Sequence, residues 1–445
     1  MRVGGEHEVE VTELDDDAVG TTSIHGGTLK IPGVAVGDRV RVRVAHVSPH
    51  RPVAWCEVTE VLSRGPGFAT PPCSDAASRG GLCGGCPAMH LNAAETERFK
   101  AAAVLRAMTK LGISASVSFH SAADFVGYRN RGHFAASRDL SGRIFLGGFA
   151  ARSREIVELK ECLVLRPAIR TAARTITSVL NAIDFPVHPE PEGLRYVTLR
   201  ASREGTVIAD LVFTAVASQR LGALADRLAR DCGIWGASYS INDKSGNALR
   251  IAPSKALFGL QSIEETLGPV TLHLGAAAFS QLNSDTAAAM YTRAASLCPR
   301  VSALWDLYCG AGGLGLTVLK SQGPSTRLYG VECSVDAVAS ARTNASEFGA
   351  RAVFAVANLQ AGVPAHPFVP EAILLNPPRK GVDEAVMRAV IASSAETLVY
   401  MSCNPKSFAR DAAVLTAAGF SMENIDAYDM LPATAHVEII ARFAR

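Results

Sequence analysis

Hydrophobic and polar positions repeat with a period of two over the first 64 residues. The segment 37–44, for example, reads Gly-Asp-Arg-Val-Arg-Val-Arg-Val, and segments near residues 9–11 and 57–62 follow the same rule between Gly and Pro. Such alternation predicts short strands with one buried face. Several strands of this kind in succession are typical of a small barrel. We therefore expect a small, OB-like β-barrel over residues 1–64.

The next part of the chain, 65–275, mixes helical and strand periods. Residues 93–111 place apolar side chains at helical spacing, and we expect this helix to pack on the C-terminal domain that begins at residue 276. The remaining pattern predicts an α+β domain with helices at 168–183 and 221–232 and strands at 196–200 and 207–213.

From about residue 276 to the end, strand and helix patterns alternate regularly. This order favours an α/β fold with a doubly wound sheet, whose ligands bind at the carboxyl ends of the strands. The strands are expected at Ala303–Leu307, 327–331, Ala352–Val356, Ala372–Leu375 and 398–402, the helices around 314–322, 334–348, 383–394 and 406–418, and a closing strand pair at Ser421–Tyr428 and 436–442.

A glycine-rich turn follows the first strand of this sheet. Residues 306–315 read Asp-Leu-Tyr-Cys-Gly-Ala-Gly-Gly-Leu-Gly, and Gly310 and Gly312 allow a ligand to approach the backbone at a helix N-terminus. Glu332 ends the second strand about 20 residues later, where doubly wound folds bind ribose hydroxyls with an acid. A pyridine dinucleotide and S-adenosylmethionine both satisfy this pairing.

Two further strand ends carry reactive side chains. Residues 374–381 read Leu-Leu-Asn-Pro-Pro-Arg-Lys-Gly, and residues 400–405 read Tyr-Met-Ser-Cys-Asn-Pro. A cysteine at a strand tip that faces a helix N-terminus is placed where a thiolate is stabilised. Taken alone, Cys403 is more simply explained as a buried structural cysteine. Its combination with the cofactor turn and the Asn-Pro-Pro strand end favours a nucleophile.

Composition and charge exclude some classes of protein and leave others open. Hydrophobic residues are 48% and charged residues 19% of the 445, which excludes a fully disordered chain. The net charge of +2 excludes a polycation, but a local basic face can still bind nucleic acid. Arg39, Arg41 and Arg43 share one strand face, which is either a solvated surface or a platform for a phosphate backbone.

The N-terminus and the apolar runs predict a compartment. The chain starts with acidic rather than basic and apolar residues, and no apolar stretch approaches the ~18 residues that a bilayer requires. We expect a soluble cytoplasmic protein with no membrane partner. Thiols stay reduced there, so that clustered cysteines are more readily metal ligands or catalysts than disulfides.

Four of the ten cysteines form a possible metal site. Cys83 and Cys86 enclose two glycines, a spacing that places two thiolates on one ion, and Cys73 and Cys162 can supply the rest. The residues alone do not separate zinc from an iron–sulfur cluster. The others are scattered in apolar elements and are expected to be packing residues: Cys56, Cys232, Cys298, Cys309 and Cys333.

Three motifs together resemble those of the RNA uracil-5-methyltransferases, most closely the 23S ribosomal RNA branch with a TRAM domain. They are Ser-Cys-Asn-Pro at 402–405, Phe-Ser-Gln-Leu-Asn at 279–283 and His-Val-Glu at 436–438, and the resemblance covers nearly the whole chain. It implies that Cys403 attacks C6 of a uracil, that C5 then takes a methyl group from S-adenosylmethionine, and that Glu438 removes the C5 proton.

The resemblance also implies ligands for the cofactor and a metal cluster. A [4Fe-4S] cluster is implied on Cys73, Cys83, Cys86 and Cys162, although nine residues rather than five separate the first two. Asn376 departs from the usual aspartate and Gly313 from a polar residue, so the latter could contribute only its backbone. The expected cofactor-binding residues are Gln281, Tyr308, Gly310, Gly313, Glu332, Asn358 and Asn376.

Alternatives to this function remain at the level of sequence. A transfer RNA uracil-5-methyltransferase is the nearest, although its bacterial branch generally lacks the TRAM domain and the cysteines. A catalytically silent RNA-binding or redox-sensing protein is the other, which Cys403 and Glu438 argue against and Asn376 keeps open. We expect an RNA partner, ribosomal RNA foremost, with the target uridine flipped out of its helix, and a monomeric enzyme. Arg129 and Arg131 match a family segment near the cluster, where they contact it or serve a structural role.

Overall fold

A computed structural model describes residues 1–24, 26–244 and 251–445. Its strands are β1 (Glu6–Glu10), β2 (Glu13–Leu14), β3 (Gly20–Ile24), β4 (Gly27–Ile31), β5 (Arg39–Val47), β6 (Val53–Ser63), β7 (Ser118–His120), β8 (Arg131–Arg138), β9 (Ile144–Phe149), β10 (Ile156–Glu158), β11 (Leu194–Ala201), β12 (Val207–Phe213), β13 (Gly236–Ile241), β14 (Lys255–Gly259), β15 (Ile263–Leu267), β16 (Val270–Leu274), β17 (Ala303–Leu307), β18 (Arg327–Glu332), β19 (Ala352–Val356), β20 (Ala372–Leu375), β21 (Thr397–Ser402), β22 (Ser421–Tyr428) and β23 (Glu438–Ala444). The α-helices are α1 (Ala93–Thr109), α2 (Pro167–Ala182), α3 (Ser218–Asp231), α4 (Ser284–Leu297), α5 (Gly313–Ser321), α6 (Val335–Asn344), α7 (Glu384–Ala392) and α8 (Pro405–Ala417).

The first six strands form one sheet in the order β1-β5-β6-β4-β3-β2. Alternate residues of its strands are buried, among them Val40 and Val42, which pack in one apolar cluster with Leu29 and Ala54. The period-two pattern therefore produces the sheet with one apolar face that it predicts.

The three arginines of β5 lie on the opposite, solvent-exposed face of the strand, and each is ion-paired. Arg39 donates to Glu8 at 3.0 Å and Arg43 to Glu57 at 3.4 Å, while Arg41 is paired with Glu60. The acids come from the two neighbouring strands, since β5 lies between β1 and β6. In the RNA-free protein this face is therefore a solvated surface of ion pairs, and its use as a platform for a phosphate backbone stays a prediction.

The central sheet has seven strands in the order β10-β9-β8-β11-β12-β13-β14. The amphipathic helices α2 and α3 bury their apolar residues in the same cluster as β11 and β12. Val207–Phe213 is buried at every position, as expected of a strand covered on both faces. This part of the chain is tied to the next by Arg166, whose guanidinium donates to the hydroxyl of Ser284 at 3.0 Å.

The third sheet confirms the predicted α/β fold class. Its order is β19-β18-β17-β20-β21-β23-β22-β7, with β17 to β21 parallel and β23 antiparallel to β21. One apolar cluster contains residues of α4, α5 and α6, and a second contains residues of α1, α7 and α8. Helices therefore cover both faces, which is why Ala372–Leu375 is a continuous, fully buried apolar run.

Two segments of the third sheet differ from the expected positions. The last strand begins at Glu438, so that His436 precedes it instead of starting it. In addition, β7 pairs with β22, and α1 places Val104 and Met108 in the core of this sheet.

In the described residues, helices long and apolar enough to cross a bilayer are absent.

Candidate active site

Strand register brings Cys403 and Glu438 together. Ser402, the last residue of β21, pairs with Ile439 of β23, and the two strands are antiparallel. The residue after Ser402 therefore lies beside the residue before Ile439, so Cys403 is next to Glu438 although 35 positions separate them in sequence. The nucleophile and the base proposed from sequence meet at the carboxyl end of the parallel strands.

The surroundings of Cys403 oppose and support its ionisation at once. Burial raises the pKa of this half-buried thiol, and the neighbouring carboxyl of Glu438 raises it further. The charge of Arg379 and a hydrogen bond from it act in the opposite direction. Asn404 caps α8 by accepting from the backbone N–H of Lys406 at 3.0 Å, so that the positive end of the helix also lies next to the thiol.

Glu438 is a carboxyl group in an apolar setting. Only 8% of the residue is exposed, and burial raises its pKa to about 8, while Arg379 lowers it in part. A carboxyl group of this kind is partly protonated at neutral pH, and its carboxylate form is the one that can act as a base. Because its pKa lies close to the working pH, it is well matched to accept a proton during a reaction.

The raised pKa of Glu438 makes a prediction for stability. A folded pKa above the unfolded one stabilises the protein fully below the unfolded value near 4.5, and this contribution is lost as pH rises through about 8. The side chain stays neutral in Glu438→Gln, so we expect the free energy of unfolding of this variant to increase relative to that of the wild type as the pH rises from 6 to 9. Urea unfolding across this range measures the difference. A constant difference would contradict the raised pKa, and Glu423→Gln on β22 is the control.

Arg379 connects the nucleophile, the base and the final loop. Its carbonyl accepts from Asn404 Nδ2 at 2.9 Å, and its Nη2 lies 3.2 Å from Nε2 of His436. Burial, together with the charge of Arg379, lowers the pKa of His436 to about 4, so this imidazole is neutral. Arg379 and His436 line a cavity of about 190 Å³ that opens at Cys403.

Buried hydrogen bonds fix the loop that carries Arg379. Asp411 accepts from the backbone N–H of Val382 at 2.8 Å and from the hydroxyl of Tyr400 at 2.7 Å. The hydroxyl of Tyr308 donates to Asp383 at 3.2 Å and accepts from its backbone N–H at 3.1 Å. The loop after β20 is therefore attached both to α8 and to the glycine-rich turn.

The glycine-rich turn is attached to the acid that ends β18. The backbone N–H of Gly310 donates to one oxygen of Glu332 at 3.3 Å, and the N–H of Ser334 donates to the other at 2.9 Å. Tyr308 and Gly312 take positive φ values of 65° and 86°, and Gly312 is the N-cap of α5. A Cβ at Gly310 would meet nothing within 4 Å, so a ligand can approach the backbone there.

The other expected cofactor residues occupy different settings. Gln281 is buried just before α4, and its carbonyl accepts from Asn130 Nδ2 at 3.0 Å. Asn376 is half-buried at the end of β20, and Asn358 is exposed after β19. At Gly313 a Cβ would meet Leu272 and Tyr291 at 3.0 Å, so a side chain there would face the core. Only the backbone of Gly313 could therefore contact a cofactor.

The four cysteines of the expected cluster lie close enough to affect one another. Cys73, Cys86 and Cys162 pack on the same small apolar cluster, and the neighbouring thiols raise the pKa of Cys86, although burial is the larger cause. Cys83 accepts from the N–H of Gly85 at 3.4 Å. Within the described ranges, however, no group of three or more His, Cys, Asp or Glu side chains is arranged to hold a metal ion.

The remaining cysteines and the two arginines can now be placed. Cys56, Cys232, Cys298 and Cys309 are buried as expected, but Cys333 is exposed, with its Sγ 3.1 Å from Glu332 Oε1. The expectation for Cys333 was wrong because a residue just beyond a strand end is not covered by the core. Arg129 lies beside the cluster cysteines and donates to the hydroxyl of Tyr128 at 3.0 Å, whereas Arg131 donates to the carbonyl of Ala278.

Sequence reasoning missed the part that Arg379 and His436 play in the site. Both lie inside motifs that were recognised, but the interpretation assigned roles only to Asn376 and Glu438 in them. The signal was available, because an arginine that directly follows the two prolines at a strand tip must lie near the other strand tips. It also missed Asp16, Asp17 and Lys406, which line the cavity, since the first two come from the N-terminal sheet.

Comparisons with known proteins agree with this fold. A family model described as a methyltransferase small domain matches residues 269–401. A protein of Caldanaerobacter subterraneus subsp. tengcongensis, named an uncharacterized RNA methyltransferase, is 28% identical over 97% of this chain and 97% of its own length. One of Halalkalibacterium halodurans with the same description is 28% identical over 92% of this chain and 89% of its own.

Among solved structures, the chain is similar to a transfer RNA (uracil-54, C5)-methyltransferase of Pyrococcus abyssi in complex with S-adenosyl-L-homocysteine. The TM-score is 0.79 at 24% identity, over 98% of this chain and all of that one. The N-terminal sheet, the central sheet and the C-terminal sheet are therefore parts of one known architecture, and the C-terminal part has the fold of an S-adenosylmethionine-dependent methyltransferase.

Proposed function

We propose that this protein is an S-adenosylmethionine-dependent RNA methyltransferase that methylates C5 of a uridine. The observation that carries the proposal is the placement of Cys403 beside Glu438 at the edge of the sheet that also bears the glycine-rich turn. A nucleophile that lines a cavity, with a buried base of pKa about 8 beside it, suits an addition that must later be reversed by proton removal. The RNA methyltransferases to which the chain is similar support RNA as the substrate class.

The proposed reaction uses the two side chains in sequence. The Cys403 thiolate forms a bond to C6 of the uracil, and the electron pair of the C5–C6 double bond moves to the C4 carbonyl as an enolate. S-adenosylmethionine supplies the methyl group that C5 then takes, leaving S-adenosylhomocysteine. Glu438 removes the C5 proton, the C5–C6 double bond forms again, and the C6–sulfur bond breaks. The Arg379 guanidinium, which lowers the pKa of the thiol, stabilises the thiolate at the start and the end.

The class of RNA is proposed as ribosomal, with transfer RNA as a second candidate. The motifs resemble those of the 23S ribosomal RNA branch. The similar solved structure, however, is that of a transfer RNA (uracil-54, C5)-methyltransferase, and it covers 98% of this chain. Domain architecture therefore does not separate ribosomal RNA from transfer RNA as the substrate, because the transfer RNA enzyme has the same architecture over its full length. The expectation that the TRAM domain and the cluster cysteines argue against the bacterial transfer RNA branch stays a prediction.

The function is tested with purified protein and labelled S-adenosylmethionine. Ribosomal RNA and transfer RNA lacking the modification are offered separately, and the nucleosides are analysed after digestion. We expect label in 5-methyluridine from one of the two. Label in another nucleoside would overturn the uracil-C5 proposal, and no label in either RNA would overturn the function.

We further propose that Cys73, Cys83, Cys86 and Cys162 hold a [4Fe-4S] cluster. Four soft thiol donors suit iron; burial raises the pKa of Cys83, Cys86 and Cys162, and the positive charge of Arg129 acts against this increase. Backbone N–H groups of Val164 and Leu165 donate to Cys162, as expected of a thiolate ligand that needs hydrogen bonds. Such a group would hold the 73–86 loop and the start of α2 together.

Chemical analysis of protein purified without oxygen tests the cluster. We expect iron and acid-labile sulfide in equal amounts with broad visible absorption, and we expect Cys86→Ser to lose both. Cys232→Ala, at the end of α3, should retain them. Zinc without sulfide would reject the iron–sulfur assignment but would leave a metal site in place. Purified protein that contains no metal and is as stable as its Cys86→Ser variant would reject any metal at these cysteines.

A further inference from the structure

A single carboxylate of the N-terminal sheet bridges two cations at the mouth of the Cys403 cavity. Asp16 lies in the turn between β2 and β3, and its Oδ1 accepts from Arg106 of α1 at 2.8 Å. Its other oxygen, Oδ2, lies 3.0 Å from Nζ of Lys406 in the first turn of α8. Asp16 and Lys406 line the cavity together with Cys403, and Ala103, one helical turn before Arg106, also lines it.

The turn that presents Asp16 is rigid. The carboxylate of Asp15 accepts from the N–H groups of Asp17 at 2.9 Å and Val19 at 3.0 Å, and it pairs with Lys30 at 2.7 Å. Leu14 and Ala18, on either side, are buried in an apolar cluster with Phe99 of α1. The backbone is therefore held, and only the side chain of Asp16 can move away from the two cations.

The two cations suit a phosphodiester better than a structural ion pair. Their side chains remain 40% and 70% exposed, for Arg106 and Lys406, and they come from two different helices. An exposed pair of this kind contributes little to stability, because solvent screens it. A carboxylate held between a guanidinium and an ammonium has the same charge sign and acceptor geometry as a phosphate group. A strand that places one nucleotide at Cys403 must carry a phosphate at this mouth.

We propose that Arg106 and Lys406 bind a backbone phosphate of the RNA strand that flanks the flipped uridine, and that Asp16 occupies this phosphate site in the RNA-free protein. The proposal rests on the proposed RNA substrate. RNA binding then exchanges one anion for another, with rotation of the Asp16 side chain away from the cations. The competition keeps two cations satisfied at an active site that would otherwise attract any anion, and it lowers the affinity for RNA that does not fill the cavity.

The competition predicts opposite effects for the acid and its partners. Asp16→Asn should bind RNA about five-fold more tightly, because one exposed ion-pair competitor of up to about 1 kcal/mol is removed. Arg106→Gln and Lys406→Gln should each bind it more weakly by a similar factor. In the Arg106→Gln/Lys406→Gln background, the gain from Asp16→Asn should shrink to the size of the gain from Asp17→Asn. The slope of log affinity against log salt should fall by about 0.7 in that background, as one phosphate contact is lost.

Two control variants separate this pairing from general electrostatics. Asp17→Asn makes the same charge change in the same turn and the same cavity, but Asp17 is bonded to neither cation. Glu347→Gln breaks an exposed ion pair in which Glu347 Oε1 lies 3.2 Å from Lys320 Nζ. This pair lies on the face of the C-terminal sheet opposite to α1 and α8. We expect a smaller gain for the first and no change for the second.

Fluorescence anisotropy with a labelled oligouridylate strand measures the affinities, alongside methylation of the RNA that serves as substrate. Equal gains for Asp16→Asn and Asp17→Asn in the wild-type background would overturn the phosphate site, as would a gain from Asp16→Asn that is undiminished in the double-variant background. If the variants behave as predicted but no RNA is methylated, the proposed function fails while the phosphate site stands. If RNA is methylated and Asp16→Asn does not change the affinity for the strand, the phosphate site fails while the proposed function stands. Failure of every variant to bind the strand would overturn the site.

Discussion

Replacement of Cys403 by alanine is expected to lower the rate of uridine methylation by at least about 10³-fold, because the nucleophile that activates C5 is lost and the cofactor alone leaves C5 unreactive. Binding of S-adenosylmethionine should remain, since the glycine-rich turn and Glu332 lie on other strands. Single-turnover methylation and calorimetric titration of the cofactor measure the two quantities. Cys403→Ser is expected to behave like the alanine variant, because a hydroxyl group does not ionise at neutral pH.

The matched control is Cys232→Ala. This cysteine is buried at the end of α3, in the central part of the chain and away from the strand tips of the catalytic sheet. Its loss should affect stability slightly and the rate hardly at all. If Cys403→Ala kept the wild-type rate, direct methylation without a covalent step would have to replace the proposed mechanism.

Glu438→Gln is expected to arrest the reaction after methyl transfer. Without a base, the C5 proton stays in place and the bond between C6 and the cysteine cannot break, so turnover should fall by about 10²- to 10⁴-fold. A complex of protein and RNA should then accumulate that carries the transferred methyl group and survives denaturation. A denaturing gel with methyl-labelled cofactor detects it. Burial of Glu438 makes the amide a tolerable substitute, since the amide is neutral at every pH.

The arrested complex has two internal controls. Cys403→Ala/Glu438→Gln should form none, because the covalent bond requires the thiol. Glu423→Gln, an exposed acid of β22 that pairs with Arg442 at 2.7 Å, should turn over normally. Normal turnover by Glu438→Gln would show that another group removes the proton, and a covalent complex without the methyl group would place the arrest before transfer.

The catalytic sheet was predictable from sequence because each buried parallel strand is a short apolar run between helices of clear period. β17, β19 and β20 begin and end where the pattern predicts, and Cys403 and Glu332 follow strand ends that the pattern identifies. Proximity of Cys403 to Glu438 was not predictable by pattern, since it depends on the pairing of Ser402 with Ile439 across an antiparallel edge. Only the family resemblance suggested it.

The N-terminal arginines illustrate what pattern alone leaves undetermined. Alternation placed Arg39, Arg41 and Arg43 on an exposed face correctly, and the acids that neutralise them were visible in the same sequence. Which strands would lie on either side of β5, and in which register, is decided by long-range pairing that the periodicity does not encode. The same is true of Asp16, whose partners come from residues 90 and 390 positions away.

The antiparallel pairing of β21 with β23 also constrains how related chains can vary in length. A single residue inserted into β23 between Glu438 and Ile439 would turn either the base or the whole apolar remainder of the strand to the opposite face. Insertions in the loop 429–437, before the strand begins, would leave that alternation intact. Across related proteins with the same chemistry, we expect gaps to be tolerated in this loop and to be absent from the strand.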